Sequence, residues 1–200
     1  MSYSAPVQLP ELESPRGLVV RPDTLVVSLV ATVDDSDPLR ALGWLRGAAE
    51  ETAARLRSLD PGARLEPRGL TARMSGSSKA GRDELDGFQL GGLVHLSLEP
   101  SLDFWQRATL EARLVSTLMA VSFELGRRKP AVRLSWRNPV PRVSDPLAFR
   151  ERLTEARRLQ LKALVGDLLN TVQLAGFEVP ETVSQTPLSL DAVRLTLGGP

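Results

Sequence analysis

The sequence predicts an α+β protein, and three observations carry that expectation. Apolar residues alternate with period two over 24–33 and 88–98, as in strands whose two faces differ. Other stretches repeat apolar residues at spacings of three and four, as in helices lying on a sheet. The elements follow one another as β-β-α-β-β-α-β-α-β, with hairpins among the helices, whereas a doubly wound parallel sheet would alternate strand and helix. Mixed or antiparallel sheets packed against three amphipathic helices are therefore expected.

Taken in order, residues 1–16 read as a flexible arm, since Pro6, Pro10 and Pro15 oppose regular structure. Residues 17–20 and 24–33 read as strands broken by Arg21-Pro22-Asp23. In the second, Leu25, Val27, Leu29, Ala31 and Val33 share one face, and Val26 and Val30 add apolar weight to the other, as in a central strand. Asp37 can accept from open amides and Pro38 suits the first helical position, so a helix starts there. Its stripe is Leu42, Leu45, Ala49, Thr52, Leu56 and Leu59, and Asp60-Pro61-Gly62 ends it.

Residues 64–74 form a weaker strand, with Leu70, Ala72 and Met74 alternating after Pro67 and Gly69. A polar loop over 75–86 joins it to 88–98, making a long hairpin. The next helix runs from about 102 to Gly126, with Trp105, Ala108, Ala112, Val115 and Met119 as its expected buried stripe and Leu118 beside it. Residues 131–137 are a strand with Val132, Leu134 and Trp136 on one face, and Pro139-Val140-Pro141 is a rigid connection. Asp145-Pro146 opens the longest helix, 146–175, closed by Gly176; 177–187 is loop and 188–197 the last strand. The tetrapeptide Ser-Asp-Pro-Leu occurs at 36–39 and at 144–147, which either a duplicated unit or two separately chosen helix caps would explain. One domain over 17–200 is expected, with room for two subdomains meeting near 130–145.

Composition narrows the function classes. A hydrophobic fraction of 42% and a charged fraction of 24% are globular values, and 4% aromatics leave Leu, Val and Ala to build the core. The net charge of +1 offers little long-range steering toward nucleic acid or an anionic membrane. Lys79, Lys129 and Lys162 are the only lysines among 25 basic residues, so 22 are arginines. With no cysteine there is no disulfide framework or thiolate chemistry. The first residues lack a basic and then apolar leader pattern, and no apolar run approaches the roughly 18 residues of a membrane helix. A cytoplasmic address is the expectation.

Chemistry is sparse. His95, the sole histidine, alternates with Val94 and Leu96 in a strand and reads as a sheet residue rather than a catalytic one. Asp34, Asp35 and Asp37 stand where acids favour a helix start, without calcium-loop spacing. Asp83, Glu84 and Asp86 lie in the polar loop. Ser75-Gly76-Ser77-Ser78-Lys79 lacks P-loop spacing, and Gly91-Gly92 inside a strand marks a bulge or a close backbone approach. Arg127, Arg128, Lys129, Arg133 and Arg137 form the candidate anion-binding segment, beside a Trp136 that alternates with core residues. Arg150, Arg152, Arg157 and Arg158, interleaved with Glu151 and Glu155, predict ion pairs along the last helix.

The layout resembles the SIMPL domain family of bacterial proteins. The residues that carry the resemblance are Val19-Val20-Arg21-Pro22-Asp23-Thr24-Leu25-Val26-Val27-Ser28-Leu29, the long helix over 37–59, and Asp86-Gly87-Phe88 leading into 93–98. The helix from Asp145 to Ala175 and the strand over 188–197 complete it. The resemblance spans about 17–197 and implies an α+β fold with a tendency toward oligomers; it supplies no catalytic residue. The chain departs from the family in lacking the leader most members carry, and its segment around Arg127-Arg128-Lys129 and Pro139/Pro141 is longer. The functional expectation is a non-enzymatic, self-associating assembly or protein-interaction module needing no metal or cofactor. The alternative is a nucleic-acid or anionic-ligand binder using the 127–137 region.

Overall fold

The computed structural model describes residues 17–75, 84–165 and 182–198. The fold is α+β, with two antiparallel sheets and three α-helices among these residues. The arm over 1–16, most of the 75–86 loop and the end of the long helix with its Gly176 cap lie outside the described residues. The described residues form two compact bodies: those of Arg21–Ser144 with Pro187–Ala192, and the rest of them.

The larger body is built on strand β2 (Thr24–Val33), whose odd residues are buried and whose even residues are not. It is central because β4 (Glu84–Ser97) pairs along its whole length on one side. On the other side lie β5 (Val132–Trp136) and β6 (Val140–Arg142). Outside β4 lies β3 (Arg64–Ser75), so the order is β3-β4-β2-β5 and β3 is an edge strand. With helices α1 (Pro38–Arg57) and α2 (Phe104–Gly126), the chain order β2-α1-β3-β4-α2-β5 is a ferredoxin-like arrangement. The expected rigid connection at Pro139-Val140-Pro141 is instead a short strand: Pro141 stands opposite Leu25, at a sheet margin that tolerates a residue without an amide proton.

Asp37 caps α1, accepting from the amides of Leu39 and Arg40 at 2.9 and 3.1 Å. The helix buries Ala41, Leu45, Ala48, Thr52, Ala53 and Leu56, so its stripe runs near the expected one, but Leu42 remains 46% exposed. Asp103 caps α2 in a reciprocal pair with Gln106. Here the expected stripe is overturned. Leu114, Leu118, Val121, Leu125 and Arg107 face the core, while Trp105 and Met119 are 76% and 60% exposed. Two apolar stripes satisfy helical spacing on α2, and the aromatic weight of the outer one made it look like the inner.

The core joins the odd residues of β2 to Val94, Leu96 and Leu98, to Val132 and Leu134, and to the inner faces of both helices. Gly87 is required by packing: a Cβ there would sit 2.2 Å from the carbonyl oxygen of Val33. At Gly91 and Gly92 the expected bulge and the expected close approach both occur. The β3 register shifts between Pro67 and Gly69, leaving Arg68 as the extra residue opposite the glycine pair. A Cβ on Gly92 would lie 3.3 Å from the Glu66 carbonyl oxygen.

A second sheet, three-stranded in the order β1-β8-β7, is formed by Leu18–Val20 (β1), Val183–Ser189 (β7) and Ala192–Leu197 (β8). The expected single strand over 188–197 is therefore a hairpin, turning at Leu190–Asp191. Asp145 accepts from Ala148 at 3.3 Å, but the turn it caps, Pro146–Phe149, is 3-10, and α3 proper is Arg150–Val165. Both Ser-Asp-Pro-Leu segments thus act as caps. Val193, Leu195 and Leu153 are buried here. Among the described residues, no helix is long and apolar enough to cross a membrane.

Candidate interaction surfaces

The basic segment does not gather into one free patch. Arg127, at the C-cap of α2, lays its guanidinium over the Phe123 ring, 5.3 Å from the centroid. Arg128 pairs with Glu51 at 2.6 Å, and Arg133 pairs with Asp34. Lys129 and Arg137 are exposed and make no ion pair among the described residues. Trp136 is half-buried and packs against the core, so its ring is not an open stacking platform.

The acidic residues near the start of α1 are similarly engaged. Asp37 caps the helix. Asp35 accepts from the amide of Asp37 at 2.9 Å and pairs with Arg40 at 3.1 Å, and that backbone hydrogen bond, ahead of Arg40, holds its carboxyl below the usual range. Asp34 joins Arg73 at 3.1 Å as well as Arg133, and Arg73 bonds Asp86 at 2.6 Å, which raises the guanidinium's pKa. These contacts form an ion network across the end of the sheet, joining residues far apart in sequence. Among the described residues, no three His, Asp or Glu side chains gather around a metal-sized space.

His95 stands between Arg64 on β3 and Val26 on β2. Its Nε2 is buried, makes no hydrogen bond and lies 3.4 Å from Glu66 Oε2. Burial, with Arg64 beside it, pulls its pKa below 6.5 despite the opposing pull of Glu66. Its position is that of a sheet residue.

Sequence reading missed Arg107, whose side chain is fully buried. Its guanidinium donates to the carbonyls of Leu102 (3.1 Å), Pro22 (3.0 Å), Leu190 (3.3 Å) and Glu99 (3.3 Å), and Nε lies 3.3 Å from Asp191 Oδ1. Burial lowers its pKa, Arg21 adds to that and Asp191 opposes it, but a guanidinium stays charged. It fastens three chain segments of the larger body. A lone arginine in an apolar helix register, at a stripe position, was the signal available in the sequence.

Two of the surfaces left open on the larger body are apolar. The β3 edge carries Leu70 at 48% and Met74 at 54% exposure, with Ala72 exposed between them. All three share the helix-bearing face, since Leu70 and Ala72 stand opposite Leu90 and Phe88 of the core side. The second irregularity falls at Asp86, on β4, so β3 keeps its own pleat from Gly69 to Ser75. The second open surface is the outer stripe of α2.

No protein-family model matches the chain, and no curated protein matches it. Among solved structures it is similar to an unknown protein from Galdieria sulphuraria, at 22% identity over 59% of this chain and 51% of that one, with a TM-score of 0.31. It is also similar to an amidase of the hydantoinase/carbamoylase family from Burkholderia phymatum, at 10% identity, 70% and 36% coverage and TM-score 0.34. A dinuclear metal-binding peptidase of the M20 family from Bacillus subtilis matches at 13% identity, 74% and 36% coverage and TM-score 0.28. The chain therefore spans about half the length of the first and about a third of the other two. At such TM-scores these likenesses say nothing about chemistry.

Proposed function

We propose that the protein is a non-enzymatic assembly module that self-associates by adding the β3 edge of one copy to the β3 edge of another. The observation that supports this is the open edge itself. A long strand whose outer row of amides and carbonyls has no strand partner among the described residues, flanked by exposed Leu70 and Met74, is a template for strand addition. Natural edges are usually blunted, and β3 is blunted only in its first half, by Pro67 and the Arg68 bulge. Pairing the open half about Ala72 sets Leu70 of one copy against Met74 of the other, an isologous contact. The reading takes the cytoplasm as the address, consistent with a cysteine-free chain.

Light scattering coupled to size exclusion tests it, at low and high salt. A defined oligomer is expected at both, because backbone pairing and apolar contact are insensitive to screening. The double variant Leu70→Lys/Met74→Lys is expected to reduce the mass while keeping the wild-type circular dichroism. A wild-type monomer throughout, or an unchanged mass in the variant, would overturn the reading. Binding of a nucleic acid that weakens steeply with salt would point instead to the exposed Arg127, Lys129 and Arg137.

A further inference from the structure

The outer stripe of α2 is a second apolar surface, on a different element from the β3 edge. Trp105, Ala112, Met119 and Phe123 follow at spacings of seven, seven and four, with half-buried Ala108 and Val115 beside them. Trp105, Met119 and Phe123 are 76%, 60% and 65% exposed. At 100° per residue, this stripe lies well round the helix from the buried Leu114, Leu118 and Leu125, so it cannot serve the same core. A surface helix of a globular body ordinarily turns one apolar stripe inward and a polar face outward. Here the charged Arg113 and Glu124, with Gln106, lie on the adjoining arc, and the stripe itself carries only the small hydroxyls of Ser116 and Thr109.

We propose that this stripe pairs antiparallel with the same stripe of a second copy. Its residue sizes suit a two-fold axis at the height of Leu114: Ala112 and Ser116 flank that axis and let two helices approach closely. Large side chains stand toward the ends, so Trp105 of one copy meets Phe123 of the other. Charge complements this direction. The N-terminal end of α2 carries exposed Glu99 and Asp103, and the C-terminal end carries exposed Arg127 and Lys129. Antiparallel pairing sets each acidic end beside the other copy's basic end; parallel pairing would set like against like. Covering Trp105, Met119 and Phe123 removes roughly 450 Å² per chain from water, so a symmetric pair buries about 900 Å². That lies at the small end of specific interfaces and fits a reversible contact. With the β3 edge also self-complementary, two separate isologous contacts on one body would build open chains or a closed tetramer rather than a simple dimer.

The cysteine-free sequence makes the test direct. Ala112→Cys places a thiol beside the axis, and Arg113→Cys places one at the same height but about 100° away. Under mild oxidation Ala112→Cys is expected to give a disulfide-linked dimer, and Arg113→Cys to give little. Adding Met119→Glu to Ala112→Cys is expected to cut cross-linking about tenfold while thermal unfolding stays unchanged. In the Leu70→Lys/Met74→Lys background the cross-link is expected to persist, which separates this contact from the β3 edge. Equal cross-linking of the two cysteine variants, survival of the cross-link with Met119→Glu, or its loss in the β3 background would overturn the proposal.

Discussion

Replacing Arg107 tests how the larger body is held together. The side chain is fully buried and reaches four carbonyls, but these are not equal. The bond to Pro22 is buried, whereas those to Leu102, Leu190 and Glu99 are partly open to water. Removing the guanidinium therefore strands one carbonyl outright, at about 1–3 kcal/mol, while water re-satisfies the others at smaller cost. Removing the buried charge also returns its desolvation penalty, so Arg107→Met, which keeps the apolar stem, is expected to cost about 2 kcal/mol. Arg107→Ala adds a cavity and loses the stem's packing, for about 4 kcal/mol in total. Arg21 donates to Pro100 and Leu102 at 2.7 and 2.6 Å, yet its side chain is 47% exposed. Arg21→Ala should cost less than about 1 kcal/mol. Urea unfolding reads the series: with a slope of about 2 kcal/mol/M, Arg107→Ala lowers the midpoint by about 2 M at constant slope. Equal costs for Arg21→Ala and Arg107→Ala, or an Arg107→Ala cost under about 1 kcal/mol, would refute the reasoning.

Gly87→Ala is expected to cost upwards of about 3 kcal/mol, since its Cβ would sit 2.2 Å from the Val33 carbonyl oxygen and strand backbone must move; thermal unfolding checks this, and a shift no larger than that of Gly43→Ala, where a Cβ meets nothing, would contradict it. His95 has a folded-state pKa below 6.5, so the unfolded chain binds more protons as pH falls under that value. The neutral side chain's contribution is present above about 6.5 and is lost as pH drops through the folded pKa. His95→Gln should therefore narrow the stability difference between neutral and mildly acidic solution, measured as paired urea midpoints. An unchanged difference would show that burial does not perturb this histidine.

The α+β class was legible because β2 alternates over ten residues and the Asp37-Pro38 and Asp145-Pro146 helix starts are local signals. Other features depend on which elements become neighbours. On α2 two stripes share the helical period, and only the position of β5 and α1 decides which is inside; aromatic content favoured Trp105 and Met119, and the core took Leu114 and Leu118. Pro141 argued against a strand, but a margin position needs no donor there, and β6 forms. The edge character of β3 was written in Pro67 and Gly69, which weaken a strand without saying which side stays open. The five basic residues looked like a patch because sequence shows the run and not the carboxylates: Glu51 and Asp34 come from α1 and the end of β2.

The central claim is that the outer half of β3 is a pairing edge, and amide hydrogen exchange across a range of protein concentrations tests it most directly. Outward-facing amides between Gly69 and Ser75 are expected to exchange freely in dilute solution and to become protected as concentration rises, while amides of β2 stay protected throughout. Exchange in that half of β3 that is fast at every concentration, alongside a solution mass that does not change, would contradict the account.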